Sequence, residues 1–247
     1  MCVAAVAWLA HPRWRLVAIG NRDEFHDRPA APLARWDDGS GIIAGRDLRS
    51  GGTWLGLGER SGRFALVTNV RGQGVADPSR ASRGTLVTDV LAGTGRYASP
   101  DADNANDFNA FNLVVTDQDK ATFLTNRPEP VRTGLTHGVY GLSNGALDEP
   151  WPKTLQLKAA LLDWLGAGAD DFASLFNALR SEARPLVGLH PRQPSDVAIE
   201  PAETGPFIAD PVYGTRCSTV VAIDRAGRAT IAERRFNAAG QPPVRPD

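Results

Sequence analysis

Short apolar runs broken by turn-forming residues occupy both ends of the chain, and no other feature constrains the fold as strongly. Residues 3–9 are small and β-compatible, a Pro-containing turn follows, and residues 14–19 run back. The pattern predicts a hairpin whose first strand begins at the very N-terminus. The polar run 21–24 then falls at the end of the second strand. Further short strands are expected over 41–44, 53–57 and 63–70, with Gly51, Gly52, Gly56 and Gly58 as turns or bulges between them. Residues 111–116 and 121–125 read as a second hairpin, and 138–142 as another strand. Residues 217–223 and 228–236 form a closing hairpin around 224–227.

Helical signals are confined to the stretch between these strands. Ser82 is placed to cap a helix over 85–91, and 101–109 is a surface loop or a polar helix start. After Pro150, residues 151–165 carry an apolar stripe at helical spacing formed by Leu155, Ala159, Leu162 and Leu165. Asp170 or Asp171 would cap a further helix to about Leu179. The Pro-rich piece 186–211 is irregular and the tail 237–247 frays. Strands early and late with helices between them, and hairpins outnumbering βαβ units, indicate an antiparallel α+β fold rather than a doubly wound one. No repeat or linker interrupts it, so residues 1–236 are expected to form a single domain.

Bulk properties exclude several classes of function. With 247 residues and a net charge of −1, the chain has no bulk attraction for nucleic acid or anionic membrane. Its two cysteines, Cys2 and Cys217, form no CxxC pair and no zinc-spaced cluster. A disulfide framework is not expected and a reducing cytoplasm is the default compartment. The apolar start lacks a basic region and a cleavage site, and no run approaches the roughly 18 residues of a membrane span. The expectation is a soluble, unexported protein.

Cys2 is the first residue that could carry chemistry. Initiator Met is removed when a small residue follows, which would give Cys2 a free α-amine of pKa ~7.7–8.0. That amine can act as base for its own thiol, so one residue supplies both nucleophile and base. The bland alternative is a buried core cysteine. Asn21, Arg22, Asp23 and Glu24 follow the first hairpin and would come back beside residue 2. There an Arg can lower a thiol's pKa and a carboxylate can hold an ammonium; a solvated turn is the other reading. Asn69 and Asn144 stand at predicted strand ends, where an amide can donate to an oxyanion or simply form a turn. Arg216 enters the penultimate strand as a possible second cation or an edge ion pair. His11, His26, His137 and His190 have no Ser or Asp partner at recognisable spacing. The Gly-Xaa-Gly patterns at 56–58 and 72–74 lack a phosphate loop's context, which argues against nucleotide binding.

These residues resemble the NRDE family, whose eukaryotic members are the transport and Golgi organisation protein two proteins. Met1-Cys2, Asn21 to Phe25 with Arg28-Pro29, Gly45-Arg46-Asp47, Gly52 to Gly56, Thr68 to Arg71 and Ser82-Arg83-Gly84 all look like its motifs. So do Leu142-Ser143-Asn144, Pro150 to Lys153 and Tyr213 to Arg216. The family in turn resembles the cysteine-type N-terminal-nucleophile hydrolases of the choloylglycine hydrolase and penicillin V acylase group. The resemblance implies a four-layer αββα sandwich with two antiparallel sheets. It also implies Cys2 as nucleophile, Asn69 and Asn144 as oxyanion-side residues and Arg216 as a late site arginine. Arg22 with either Asp23 or Glu24 would supply the basic and acidic pair. The activity implied is hydrolysis of a linear amide on a small-molecule substrate, with no cofactor or metal. A second implication is a non-enzymatic carrier of haem or another hydrophobic ligand, with Cys2 or His26 as candidate iron ligands.

Overall fold

The computed structural model describes residues 2–184, 186–188 and 204–243. Met1, His190, much of the Pro-rich piece and the last four residues of the tail lie outside the described residues. The first elements are β1 (Cys2–Trp8), β2 (Trp14–Phe25), β3 (Ala30–Arg35), β4 (Ile42–Asp47), β5 (Leu55–Gly58) and β6 (Arg63–Asn69). Then come α1 (Arg83–Ala92), α2 (Ala102–Ala105), β7 (Phe111–Thr116), β8 (Ala121–Thr125), β9 (Val131–Leu135) and β10 (Gly138–Leu142). The chain continues through α3 (Pro152–Ala167), α4 (Ala173–Leu179), β11 (Tyr213–Asp224) and β12 (Ala229–Arg235). It is an α+β protein with two antiparallel sheets, divided into the compact units Met1–Asp27 with His137–Asp247 and Arg28–Thr136.

In the first unit five strands pair in the order β10-β1-β2-β11-β12, every neighbour antiparallel. Successive residues of a strand point to opposite faces. Val3, Ala5 and Ala7 therefore share one face with Val17, Ile19, Val220 and Ala222, and the two helices cover it. From α3 come Leu157, Leu161, Trp164 and Leu165, and from α4 Leu175, Phe176 and Leu179. The buried stripe of α3 is thus not the expected one. Leu162 is 52% exposed and Ala159 is also exposed. Two apolar ladders compete on this helix, and the one carrying the bulky Trp164 faces the sheet because it removes more surface from water. The opposite sheet face is also apolar and buried, through Ala4, Val6, Trp8, Leu16 and Ala18.

The second unit is a seven-stranded meander in sequence order, β3 to β9, each strand joined to the next antiparallel one. Helix α1 lies on β4, β5 and β6. As expected, Ser82 is its N-cap, its side chain accepting from the Gly84 N–H. Gly93 ends it in the left-handed conformation, at φ 69°. Leu86, Val87, Val90 and Leu91 bury the helix against Ile42, Ala44, Ala65 and Val67. Contact is close enough that a Cβ on Gly58 would run into the carbonyl oxygen of Leu91.

Several elements differ from expectation. Strand β2 does not end near Ile19 but continues through the polar run to Phe25, held between β1 and β11. Strands β3 and β9 were not anticipated. Their residues are largely exposed, so they lack the apolar alternation that marks a strand. No helix among the described residues is long and apolar enough to cross a membrane.

Candidate active site

Residue 2 opens β1, and sheet register decides what lies beside it. On one side Cys2 pairs with Arg22 of β2. On the other, the register with β10 ends at Ala4, which pairs with Leu142, and Asn144 lies two residues beyond the end of that strand. Arg22 pairs in turn with Cys217 of β11, and Cys217 with Arg235 of β12. Cys2, Arg22, Cys217 and Arg235 therefore form one row across β1, β2, β11 and β12. Directly opposed residues project to the same face. The row is a polar and sulfur-bearing shelf at one end of an otherwise apolar surface.

Local hydrogen bonds fix both sides of Cys2. The Ser143 hydroxyl donates to the Cys2 carbonyl oxygen at 3.1 Å and lies 3.4 Å from Asn144 Oδ1. Asn144 is buried, 1% exposed. Cys2 itself is 8% exposed. Burial pushes its thiol pKa up, and the Asp23 charge pushes the same way. The Arg22 cation and the Asp23 backbone N–H, which bonds the sulfur, pull it down.

The polar run divides by strand alternation into two functions. Asn21 and Asp23 take the helix-covered side. Asn21 Nδ2 donates to the carbonyl oxygens of Leu179 and Pro206, both at 2.8 Å, and Ser218 Oγ donates to Asn21 Oδ1 at 2.6 Å. It ties strand to helix end, a structural role. Asp23 is 1% exposed and accepts from Thr215 Oγ1 at 2.7 Å. Burial pushes its carboxyl up, opposed by the Lys153 charge and the Thr215 hydrogen bond. Arg22 and Glu24 take the other side and approach to 3.7 Å. Of the two acids left open by the sequence, Asp23 is the one electrostatically coupled to the Cys2 thiol.

Arg216 reaches the row through an irregularity. Thr215 pairs with Asp23 but Cys217 pairs with Arg22, so β11 carries one extra residue, Arg216. Such bulges re-aim a side chain. Arg216 Nη1 donates to the Phe25 carbonyl oxygen at 2.7 Å. Its guanidinium is held below its ordinary pKa by partial burial and by the Arg22 and Arg235 cations.

Asn69 closes β6 opposite Phe111, within the Arg28–Thr136 unit. His26 Nε2 lies 2.9 Å from the Asp210 carbonyl oxygen, which leaves Nδ1 as the ring nitrogen open to a ligand. Among the described residues no group of three or more His, Cys, Asp or Glu could hold a metal ion.

Lys153, Thr215, Ser143 and Cys217 take roles here that residue type and spacing alone do not reveal. Lys153, 1% exposed in the first turn of α3, is the clearest omission. A fully buried lysine is almost always compensated, and its only advance signal was its place in the Pro150 to Lys153 motif. Cys217 is buried, and its thiol is driven up, first by burial and then by Glu233.

Residues 1–238 match the Transport and Golgi organisation 2 family. The chain belongs to that family. The resemblance read from the Asn-Arg-Asp-Glu run and its companion motifs is thereby borne out. Among relatives, the Transport and Golgi organization protein 2 homolog of Homo sapiens is 32% identical over 240 residues, covering 90% of this chain and 86% of its own. The Mus musculus homolog is 30% identical over 245 residues with the same coverage. The Drosophila melanogaster protein is 27% identical over 172 residues, covering 62% of this chain and 61% of its own. Among solved structures, a Caenorhabditis elegans N-acylethanolamine-hydrolyzing acid amidase ortholog aligns with a TM-score of 0.44 and 13% identity. That alignment covers 89% of this chain and 92% of the ortholog.

Proposed function

We propose that this member of the Transport and Golgi organisation 2 family is a cysteine amidohydrolase that cleaves a linear amide of a small molecule through a thioester. The observation that carries the reading is the pairing of Cys2 with Arg22, together with the bond from Ser143, the neighbour of the buried Asn144, to the Cys2 carbonyl and the action of the Asp23 charge on the thiol. Removal of Met1 would turn the Cys2 nitrogen into an amine of pKa ~7.7–8.0, a suitable base near neutrality. The amine takes the thiol proton, and the sulfur attacks the amide carbonyl carbon. Asn144 and backbone N–H groups donate to the oxyanion, each donor worth ~2.7–4 kcal/mol in comparable sites. The ammonium then returns its proton to the leaving amine as the carbon–nitrogen bond breaks. Water, deprotonated by the same amine, splits the thioester and releases the acid.

The environment of the sulfur fits this division of labour. A thiol raised by burial is not a standing thiolate, so it needs a base at hand. Arg22 stabilises the thiolate as it forms, and Asp23 is placed to hold the ammonium. N-terminal sequencing combined with intact mass measurement during turnover of acyl amides tests the scheme. An acyl adduct on residue 2 of Met1-free protein is the expected result. Turnover by Cys2→Ala, or full activity in protein that retains Met1, would overturn it.

A further inference from the structure

Lys153 is a charge in a place that its own helix does not explain. It is 1% exposed and lies in the first turn of α3, directly after Pro152. That turn is the positive end of the helix dipole and carries no acidic residue, so a cation there is disfavoured locally. Pro152 and Thr154 on either side are buried too. The Trp151 ring centroid is 5.9 Å from Lys153 Nζ, at the outer limit of a cation–π contact. A lysine buried this deeply is kept where another charge compensates it.

The sheet under the helix supplies that charge. Helix α3 packs on β1 and β10, and its start is pinned there. Thr154 Oγ1 donates to the carbonyl oxygens of Trp151 and Glu149, at 2.8 and 2.9 Å. A Cβ on Gly141 of β10 would come within 3.1 Å of the Thr154 side chain. Asp23 of β2, also 1% exposed, lies on the same helix-covered side, and the Lys153 charge acts on its carboxyl. The other groups acting on that carboxyl are the chain-terminal amine, the Thr215 hydroxyl from β11 and the Arg22 cation beside it in β2. Asp23 in turn meets the reacting residue. Its backbone N–H bonds the Cys2 sulfur, and its charge acts on the thiol.

We propose that Lys153 is a positioning residue: its ammonium anchors the Asp23 carboxylate, and that carboxylate holds the amine of residue 2 against the Cys2 thiol. This role rests on the amide hydrolysis proposed above. Lys153 meets neither substrate nor sulfur and acts through Asp23. Without a cation behind it, a carboxyl buried to this depth would keep its proton and offer the amine no anion.

Two measurements across about pH 5 to 10 test the role. Alkylation of Cys2 by iodoacetamide, followed by mass spectrometry, reads the ionisation at residue 2 without turnover. Hydrolysis of acyl amides reads the reaction. Removing a nearby cation favours every protonated form around it, so Lys153→Met should move both midpoints up by about one pH unit. Alkylation below both midpoints then slows about tenfold. Lys153→Gln, neutral but able to hydrogen-bond the carboxyl, should give the same shift with a smaller loss of stability. Lys153→Arg keeps the charge and should keep the parent midpoints. In an Asp23→Asn background, Lys153→Met should move them little. Unmoved midpoints, an equal shift in the Asp23→Asn background, or a loss of reactivity in the same proportion at every pH would each overturn the assignment. Shifted alkylation in a protein that hydrolyses no acyl amide would instead sink the amidohydrolase reading and leave the link from Lys153 to residue 2 standing.

Discussion

Lys153→Met is the most informative single change outside the reacting groups. Lys153 and Asp23 are each 1% exposed, and the lysine charge acts directly on the buried carboxyl. Replacing the ammonium with a thioether of similar length leaves Asp23 buried without that counter-charge, a loss of about 3–5 kcal/mol in comparable cases. At about 2–4 °C per kcal/mol for a chain of this size, the melting temperature should fall by about 6–20 °C at pH 7. The effect has a definite pH dependence. Burial holds the Asp23 carboxyl above its ordinary range, so the folded chain keeps a proton that the unfolded chain has released. Stability is therefore lost as pH rises from the ordinary carboxylate range through the folded pKa. Lys153→Met raises that pKa further and widens the window. The gap between variant and parent should be small near pH 4 and larger at pH 7. In an Asp23→Asn background the same replacement should cost little, because no charge is left stranded. Calorimetry of the four proteins at both pH values decides it. A penalty independent of pH, or one undiminished in the Asp23→Asn background, would refute the argument.

The two faces of α3 should respond unequally to truncation. Leu157→Ala should cost about 2–5 kcal/mol in denaturant unfolding and Leu162→Ala less than about 0.5 kcal/mol. Gly58→Ala should destabilise the protein and shift the amide resonances of α1, since the added methyl group meets the Leu91 carbonyl. Ser82→Ala should cost about 1 kcal/mol by removing the α1 cap, with Ser82→Asp restoring most of it. In native protein Cys217 should resist iodoacetamide at pH 8 and react only after urea is added, because its thiol is buried and raised.

Hairpins at both ends of the chain were legible because their apolar runs are short, branched and bounded by turn residues. The polar half of β2 was not, since a central strand can carry hydrophilic residues when both neighbours satisfy them. Asn21 does this through Ser218 and the Leu179 and Pro206 carbonyls. The exposed strands β3 and β9 left no periodic signal. In α3 the wrong ladder was favoured because spacing alone does not weigh Trp164 against Leu162. At the candidate site the residue types were legible but their sides were not. Asp23 and Glu24 are neighbours in sequence, and only strand alternation sends one towards Lys153 and the other towards Arg22. The importance of Lys153 was hidden for a similar reason, as its partner lies 130 positions away.

The extra residue in β11 sets a rule for how this stretch can change. In a regular strand Thr215 and Cys217 would look the same way; with one residue inserted between their pairings, the first meets Asp23 and the second meets Arg22. A single deletion at position 216 would make the two residues neighbours in a regular strand, still facing opposite sides, so both pairings would survive and only the arginine would be lost. The insertion therefore adds a side chain at this point without disturbing either pairing. Homologues lacking one residue here should lack the arginine and keep the threonine and the cysteine on their own sides.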